Sequence, residues 1–132
     1  MMSKATRSRI VLAVDDHPSI LRFIRTGLEI RGMEVITANS GKRAIELAES
    51  AEPGVILLDI VMPDMDGIEV LKRIRKTSQV PIIAFSADEN VRGEALRFGA
   101  NDFLAKPFHT DDLVSRIKNL LEIQPEGPPF GS

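Results

Sequence analysis

Val55-Ile56-Leu57-Leu58-Asp59 is the most apolar run in this chain, and it closes on a carboxylate. An unpaired charge is costly to bury, so an acid in that position calls for a reason. Two further runs repeat the pattern. Ile10-Val11-Leu12-Ala13-Val14 leads into Asp15 and Asp16, and Pro81-Ile82-Ile83-Ala84-Phe85 leads into Ser86. Short, continuous apolar runs of this kind read as strands buried on both faces. Laid side by side and parallel, they bring three carboxylates and a hydroxyl to one edge of a sheet.

Amphipathic segments fill the spaces between the runs. His17-Pro18-Ser19 opens a first helix, with Pro18 favourable in its first turn and Gly32 as its stop. Residues 34–38 form a short strand nearer a sheet edge. Ser40 caps a second helix whose apolar stripe is Ala44, Ile45, Leu47 and Ala48. After the central strand, Asp66 and Glu69 have capping-box spacing for a third helix over 68–74. A fourth helix is expected over 89–98, ended by Gly99. Phe103-Leu104-Ala105 is a fifth strand, and Thr110 caps a last helix that buries Leu113, Ile117, Leu120 and Leu121. Five strands, each followed by a helix, predict an α/β fold: a doubly wound parallel sheet with helices on both faces. Ligands of such sheets bind outside the carboxyl ends of the strands, where Asp15, Asp16, Asp59 and Ser86 fall.

Composition narrows the chemistry. The chain has 132 residues, 43% hydrophobic and 27% charged, enough for one domain with a real core. Its 17 basic and 19 acidic residues leave a net charge of −2, which argues against direct nucleic-acid or membrane-surface binding. The absence of cysteine excludes disulfides, thiolate metal sites and thiol nucleophiles, and suits the cytoplasm. Residues 10–14 are too short a run for a signal-peptide core or a membrane span.

Three carboxylates within reach of one another repel by roughly 4 kcal/mol per pair at about 4 Å and an effective dielectric near 20. The edge must therefore take up a proton or a cation. Hard oxygen ligands beside open solvent favour Mg²⁺, and no His or Cys cluster suits zinc. His17 alone reads as a solvated or helix-start histidine. No glycine-rich phosphate loop is present. Lys106-Pro107 follows the fifth strand and adds a cation. A carboxylate nucleophile, Mg²⁺, a lysine and a hydroxyl together can accept a phosphoryl group. A structural ion-pair network explains any one of these residues, but explains four converging strand ends poorly.

The pieces, taken in order, resemble the receiver domain of two-component response regulators, of the single-domain, chemotaxis-regulator-like kind. The acidic pair Asp15-Asp16, the phosphoacceptor and its loop from Leu58-Asp59 to Asp66-Gly67, Ser86-Ala87 and Lys106-Pro107 carry the likeness. It covers about residues 10–122. It implies a flavodoxin-like sheet of strand order 2-1-3-4-5 flanked by five helices. Residues 1–9 would be an N-terminal extension, 10–123 the receiver domain and 124–132 a flexible Pro/Gly-rich tail. The resemblance implies that Asp59 accepts a phosphoryl group from a histidine kinase or histidine phosphotransfer protein. Mg²⁺ would be held by Asp16 and Asp59, by Asp15 through water and by the Val61 carbonyl. Ser86 and Lys106 would bind phosphoryl oxygens, Ala87 would leave the acceptor accessible, and the bond to Pro107 would be cis.

Signalling would follow from a population shift. Ser86 moves toward the phosphoryl group, Phe103 enters the vacated space, and the face of helix four, strand five and helix five changes for a downstream partner. Phe103 is otherwise simply core. Arg92, Asp102, Asp112 and Arg116 map to that face, where they either support a phosphorylation-dependent homodimer or remain solvated and internally paired. Val61 and Asp88 flank the path of attacking water. Val61 cannot orient it, and Asp88 can orient or repel it, which leaves the phosphoryl lifetime open. Such a chain catalyses only its own phosphorylation and dephosphorylation and is not otherwise an enzyme. It is either a single-domain regulator or the receiver of a longer one. A Mg²⁺-dependent phosphohydrolase working through an aspartyl-phosphate usually carries a second acid two residues after its nucleophile, where this chain has Val61. A receiver-like module that never takes phosphate is disfavoured by Asp16, Asp59, Ser86 and Lys106.

Overall fold

A computed structural model describes residues 8–63 and 66–122 of the chain. The proposed tail at 124–132 and most of the N-terminal extension lie outside the described residues, as do Asp64 and Met65.

The strands are β1 (Ile10–Val14), β2 (Glu34–Ala38), β3 (Val55–Asp59), β4 (Ile82–Ser86) and β5 (Asp102–Ala105). They pair in parallel in the order β2-β1-β3-β4-β5. The helices are α1 (Pro18–Ile30), α2 (Gly41–Ser50), α3 (Gly67–Arg75), α4 (Arg92–Arg97) and α5 (Thr110–Glu122). This is the doubly wound α/β architecture expected from the alternation of runs.

The near-continuous apolarity of the central strands follows from their burial on two sides. Alternate residues serve opposite faces. Leu12, Val14, Ile56, Leu58, Ile82 and Ala84 pack with Ala44 of α2, with Ile68, Val70, Leu71 and Ile74 of α3, and with Ala95 of α4. Val11, Ala13, Val55, Leu57, Ile83 and Phe85 pack with Leu21, Ile24 and Leu28 of α1 and with Leu113, Val114, Ile117 and Leu120 of α5. At about 25 cal/mol per Å² of apolar surface removed from water, each of these buried Val, Leu, Ile and Phe side chains contributes roughly 1.5–3 kcal/mol, and the alanines less.

Local signals set the boundaries. Pro18 begins α1, and Gly32, at φ +85°, turns the chain after it. Ser40 accepts a hydrogen bond from the Arg43 amide at the start of α2. Three details differ from the sequence expectation. The third helix runs Gly67–Arg75 with Asp66 as its cap, as expected, but the Asp66 carboxylate accepts from the Ile68 amide at 2.9 Å rather than from that of Glu69. The fourth segment is two pieces: a 3-10 turn at Glu89–Val91, then α4. Asp88 causes the split, since its carboxylate accepts from the Asn90 amide at 2.9 Å and tightens the first turn. Thr110 is the first residue of α5 rather than the residue before it, and the His109 carbonyl accepts from the Leu113 amide. Among the described residues, no helix is long and apolar enough to cross a membrane.

Candidate functional site: an acidic crevice at the carboxyl edge

Strand register assembles the crevice. Val14 lies beside Leu58, Asp59 beside Phe85, and Ser86 beside Ala105. The residues that end β1, β3, β4 and β5 therefore meet at one edge. Chain direction reverses its progress across the sheet between β1 and β3, which is where crevices open in such sheets.

Asp15, Asp59 and Ser86 are the three buried polar residues at this edge, at 0%, 1% and 1% exposure. Lys106 reaches back from β5. Its Nζ donates to Asp15 Oδ2 at 3.0 Å and lies 3.5 Å from Asp59 Oδ2. The Lys106 amide donates to the Ser86 carbonyl at 2.9 Å, which fixes the origin of the side chain. The Lys106–Pro107 peptide bond is cis. The Lys106 ammonium also sits 5.0 Å from the centre of the Phe85 ring, whose edge contact with Phe108 holds it in place.

One lysine does not balance three acids. Burial, and then the charge of Asp15, push the Asp59 carboxyl up to about 6. Burial works the same way on Asp15. There it is outweighed by the His17 amide and by the Lys106 and His17 side chains, which hold the carboxyl below its ordinary value. Asp59 Oδ1 accepts from the Val61 amide at 3.3 Å. Asp59 Oδ2 and Asp16 Oδ1 are buried without a hydrogen-bond partner. Two orphaned carboxylate oxygens facing one crevice are what a hard divalent cation satisfies, so this donor set fits Mg²⁺.

Ser86 Oγ accepts from the Asp88 amide at 3.0 Å, a contact the sequence did not suggest. Ala87 is exposed beside it, and Val61 is 56% exposed on the opposite rim. Phe103 is 1% exposed and lies under the Arg92 guanidinium, 4.8 Å from the ring centre. Arg92 also meets Glu89 at 3.4 Å. The other three residues mapped to the partner face form one cluster within the chain. Arg116 donates to Asp102 at 2.8 Å, to Asp112 at 3.0 Å and to the Phe103 carbonyl at 3.1 Å. Arg92 stands apart from that cluster, on Phe103. His17 is the residue that sequence reasoning undervalued. It does start α1, but its ring turns back onto the acids, with Nδ1 3.0 Å from Asp15 Oδ1.

The sheet order and the acidic, lysine-bearing crevice define a doubly wound domain with its buried charges gathered at one carboxyl edge. Comparison with known proteins gives its family. The sequence profile of the response regulator receiver domain matches residues 11–118, and the chain belongs to that family. It is therefore a receiver domain of two-component signalling. It is 41% identical over 111 residues to the transcriptional regulatory protein KdpE of Mycobacterium tuberculosis, covering 83% of this chain and 49% of that protein. The chain thus spans about half the length of the curated relatives it matches. Among solved structures, the Francisella response regulator 1452 receiver domain superposes with a TM-score of 0.80 at 37% identity, over 86% of this chain and 97% of that one. The response regulator TrrA of Thermotoga maritima, solved in complex with Mg²⁺-BeF, superposes with a TM-score of 0.79 at 32% identity, over 86% and 99%.

Proposed function

We propose that Asp59 is a phosphoacceptor and that its phosphorylation resets the surface of α4, β5 and α5. One observation carries the reading: Asp59 Oδ2 is buried, lacks a hydrogen-bond partner and lies 3.5 Å from the Lys106 ammonium. A nucleophile needs an oxygen free to form a bond, beside a charge that stabilises what accumulates there.

The donor is a phosphohistidine of a kinase or phosphotransfer protein. Asp59 Oδ2 attacks phosphorus, the O–P bond forms, the P–N bond breaks, and its electron pair leaves with the imidazole nitrogen. Asp16, the Asp59 oxygen not used in attack and the Val61 carbonyl would hold Mg²⁺, with Asp15 acting through water, and the ion would supply positive charge to stabilise the phosphoryl oxygens. Lys106 turns from Asp15 and Asp59 to a phosphoryl oxygen. Ser86 Oγ exchanges the Asp88 amide for another. That exchange loosens the turn at Glu89–Val91, the element that carries Arg92 to Phe103. The switch thus reaches the α4 surface through contacts already present. The chain performs this chemistry on itself and acts on a downstream protein rather than on a metabolite. Nothing at Val61 offers the second acid of an aspartyl-phosphate phosphohydrolase.

Incubation with acetyl phosphate and Mg²⁺, followed by intact mass, tests the reading. One added phosphoryl group is expected, and none in Asp59→Asn or after chelation. An unmodified wild-type mass with Mg²⁺ shown to be bound would count against phosphoacceptance.

A further inference from the structure

We infer that His17 supplies a nitrogen ligand to the acidic crevice, giving it an added affinity for imidazole-preferring divalent ions such as Ni²⁺ and Zn²⁺ that an all-oxygen receiver site lacks. The inference rests on the reading of this crevice as a cation site, and concerns which cations it selects.

His17 is placed for this by its backbone. It precedes α1 in an extended conformation, φ −96° and ψ 113°, and Pro18 restricts the residue before it. Its own amide donates to Asp15 Oδ1 at 2.9 Å, closing a tight turn that folds the residue back over the end of β1. The ring follows. Nδ1 lies 3.0 Å from Asp15 Oδ1 and 3.3 Å from Asp16 Oδ1.

The first contact is a hydrogen bond to an acid that acts through water, while the 3.3 Å separation from Asp16 is close to that of two adjacent metal ligands. Ligands bound at about 2.1 Å in octahedral array stand roughly 3.0 Å apart when adjacent and about 4.2 Å apart when opposite. Asp15, Asp16, His17 and Asp59 each present one ligating atom, and all four atoms lie within 4.8 Å of one another. A second, independent observation shows that the cluster is incomplete as it stands. Asp59 Oδ2 and Asp16 Oδ1 are buried oxygens with no hydrogen-bond partner.

The nitrogen changes selectivity more than capacity. Mg²⁺ gains little from imidazole over water or carboxylate, whereas ions toward the right of the first transition row gain much. A histidine that only starts the helix or bonds Asp15 would not discriminate between the two classes. The discrimination is therefore the signature. His109, the only other histidine, is not part of the four-residue cluster.

The test is calorimetric titration of the full chain with Mg²⁺ and, separately, with Ni²⁺, at one fixed pH, in wild type, His17→Asn and Asp16→Asn. His17→Asn is expected to weaken Ni²⁺ about tenfold or more while moving Mg²⁺ by less than about twofold. Asp16→Asn is expected to weaken both, which places the Ni²⁺ in the crevice. Spin-echo spectra with Cu²⁺ as the probe should show the nitrogen modulation of a bound imidazole in wild type and lose it in His17→Asn. If Ni²⁺ affinity is unchanged in His17→Asn while Asp16→Asn weakens both ions, the acidic site stands and the role of His17 is overturned. If Ni²⁺ survives Asp16→Asn, it binds elsewhere and the inference fails. If wild type takes up no Mg²⁺, the reading of the crevice falls and the inference with it.

Discussion

Asp59 carries a conflict between its burial and its charge. Burial and the neighbouring Asp15 charge raise its carboxyl from 3.8 to about 6. In the folded chain it therefore holds a proton that the unfolded chain has already released between those values. The resulting stabilisation is fully present below about pH 4 and is lost as pH rises through about 6. Near neutral pH the metal-free protein thus carries a strained buried charge, on the order of 2–3 kcal/mol. Asp15 works in the opposite sense: its lowered carboxyl stabilises the fold above its ordinary range and ceases to do so as pH falls below it. Asp59→Asn removes the first conflict while keeping an oxygen for the Val61 amide. In chelator, its melting temperature should exceed wild type by several degrees at about pH 7, with the gap closing toward about pH 4. Mg²⁺ should raise the wild-type melting temperature and move that of Asp59→Asn much less. Equal gaps at both pH values would show that the Asp59 charge is not the source of the strain.

Elements hold this residue in place, and α3 is the critical one. Its first residue packs directly on the backbone that follows β3. A Cβ on Gly67 would come within 2.7 Å of the Asp59 carbonyl oxygen and closer still to Ile60. All of these are backbone atoms, so the helix or the loop must shift. Gly67→Ala should cost about 2–4 kcal/mol, read from urea midpoints, and should slow phosphorylation by displacing Asp59 and Val61. Gly93 in α4 is the contrast, since nothing lies within 4 Å of where its Cβ would stand. Gly93→Ala should stabilise by up to roughly 0.5 kcal/mol, less than in a helix interior because the position lies in the first turn of α4. If both substitutions behave alike, contact at Gly67 is not the reason for its glycine. Element scale is also where sequence reading was most uneven. The strands were legible because two-sided burial writes itself as an unbroken apolar run. The fourth helix was not, because one turn of 3-10 and one turn of α carry the same apolar spacing. Only the Asp88 side chain, bonding two residues ahead, separates them.

At the scale of the molecule, the edge site was legible because parallel strands must end together, so acids that close several runs must meet. The pairings among exposed charges were not legible, because they depend on which rotamers the folded surface brings together. Arg92 is the clear case: its position mapped it to a partner face, while the structure sets it on Phe103. Arg116 is likewise engaged within its own chain, with Asp102 and Asp112. This bears on the proposed homodimer. Exposed ion pairs contribute only about 0.2–1 kcal/mol each, and exchanging internal pairs for external ones gains less still. In such a dimer the charges on this face would select the partner rather than hold it. Apolar area must supply the affinity, and Leu96 offers it: it is 41% exposed and lies one turn beyond Arg92 on α4. On the proposed switch, exchange of the Ser86 bond to Asp88 would loosen the turn at Glu89–Val91, release Arg92 and let Leu96 seat against a second copy. Light scattering with Mg²⁺ and a beryllofluoride phosphoryl mimic should then report a dimer, with a monomer in chelator. Leu96→Ser should weaken that dimer more than Arg116→Ala does, with little change in phosphorylation. A mass that stays monomeric with the mimic bound at high concentration would remove the homodimer, and a larger loss from Arg116→Ala would make charge, not apolar contact, the source of its affinity.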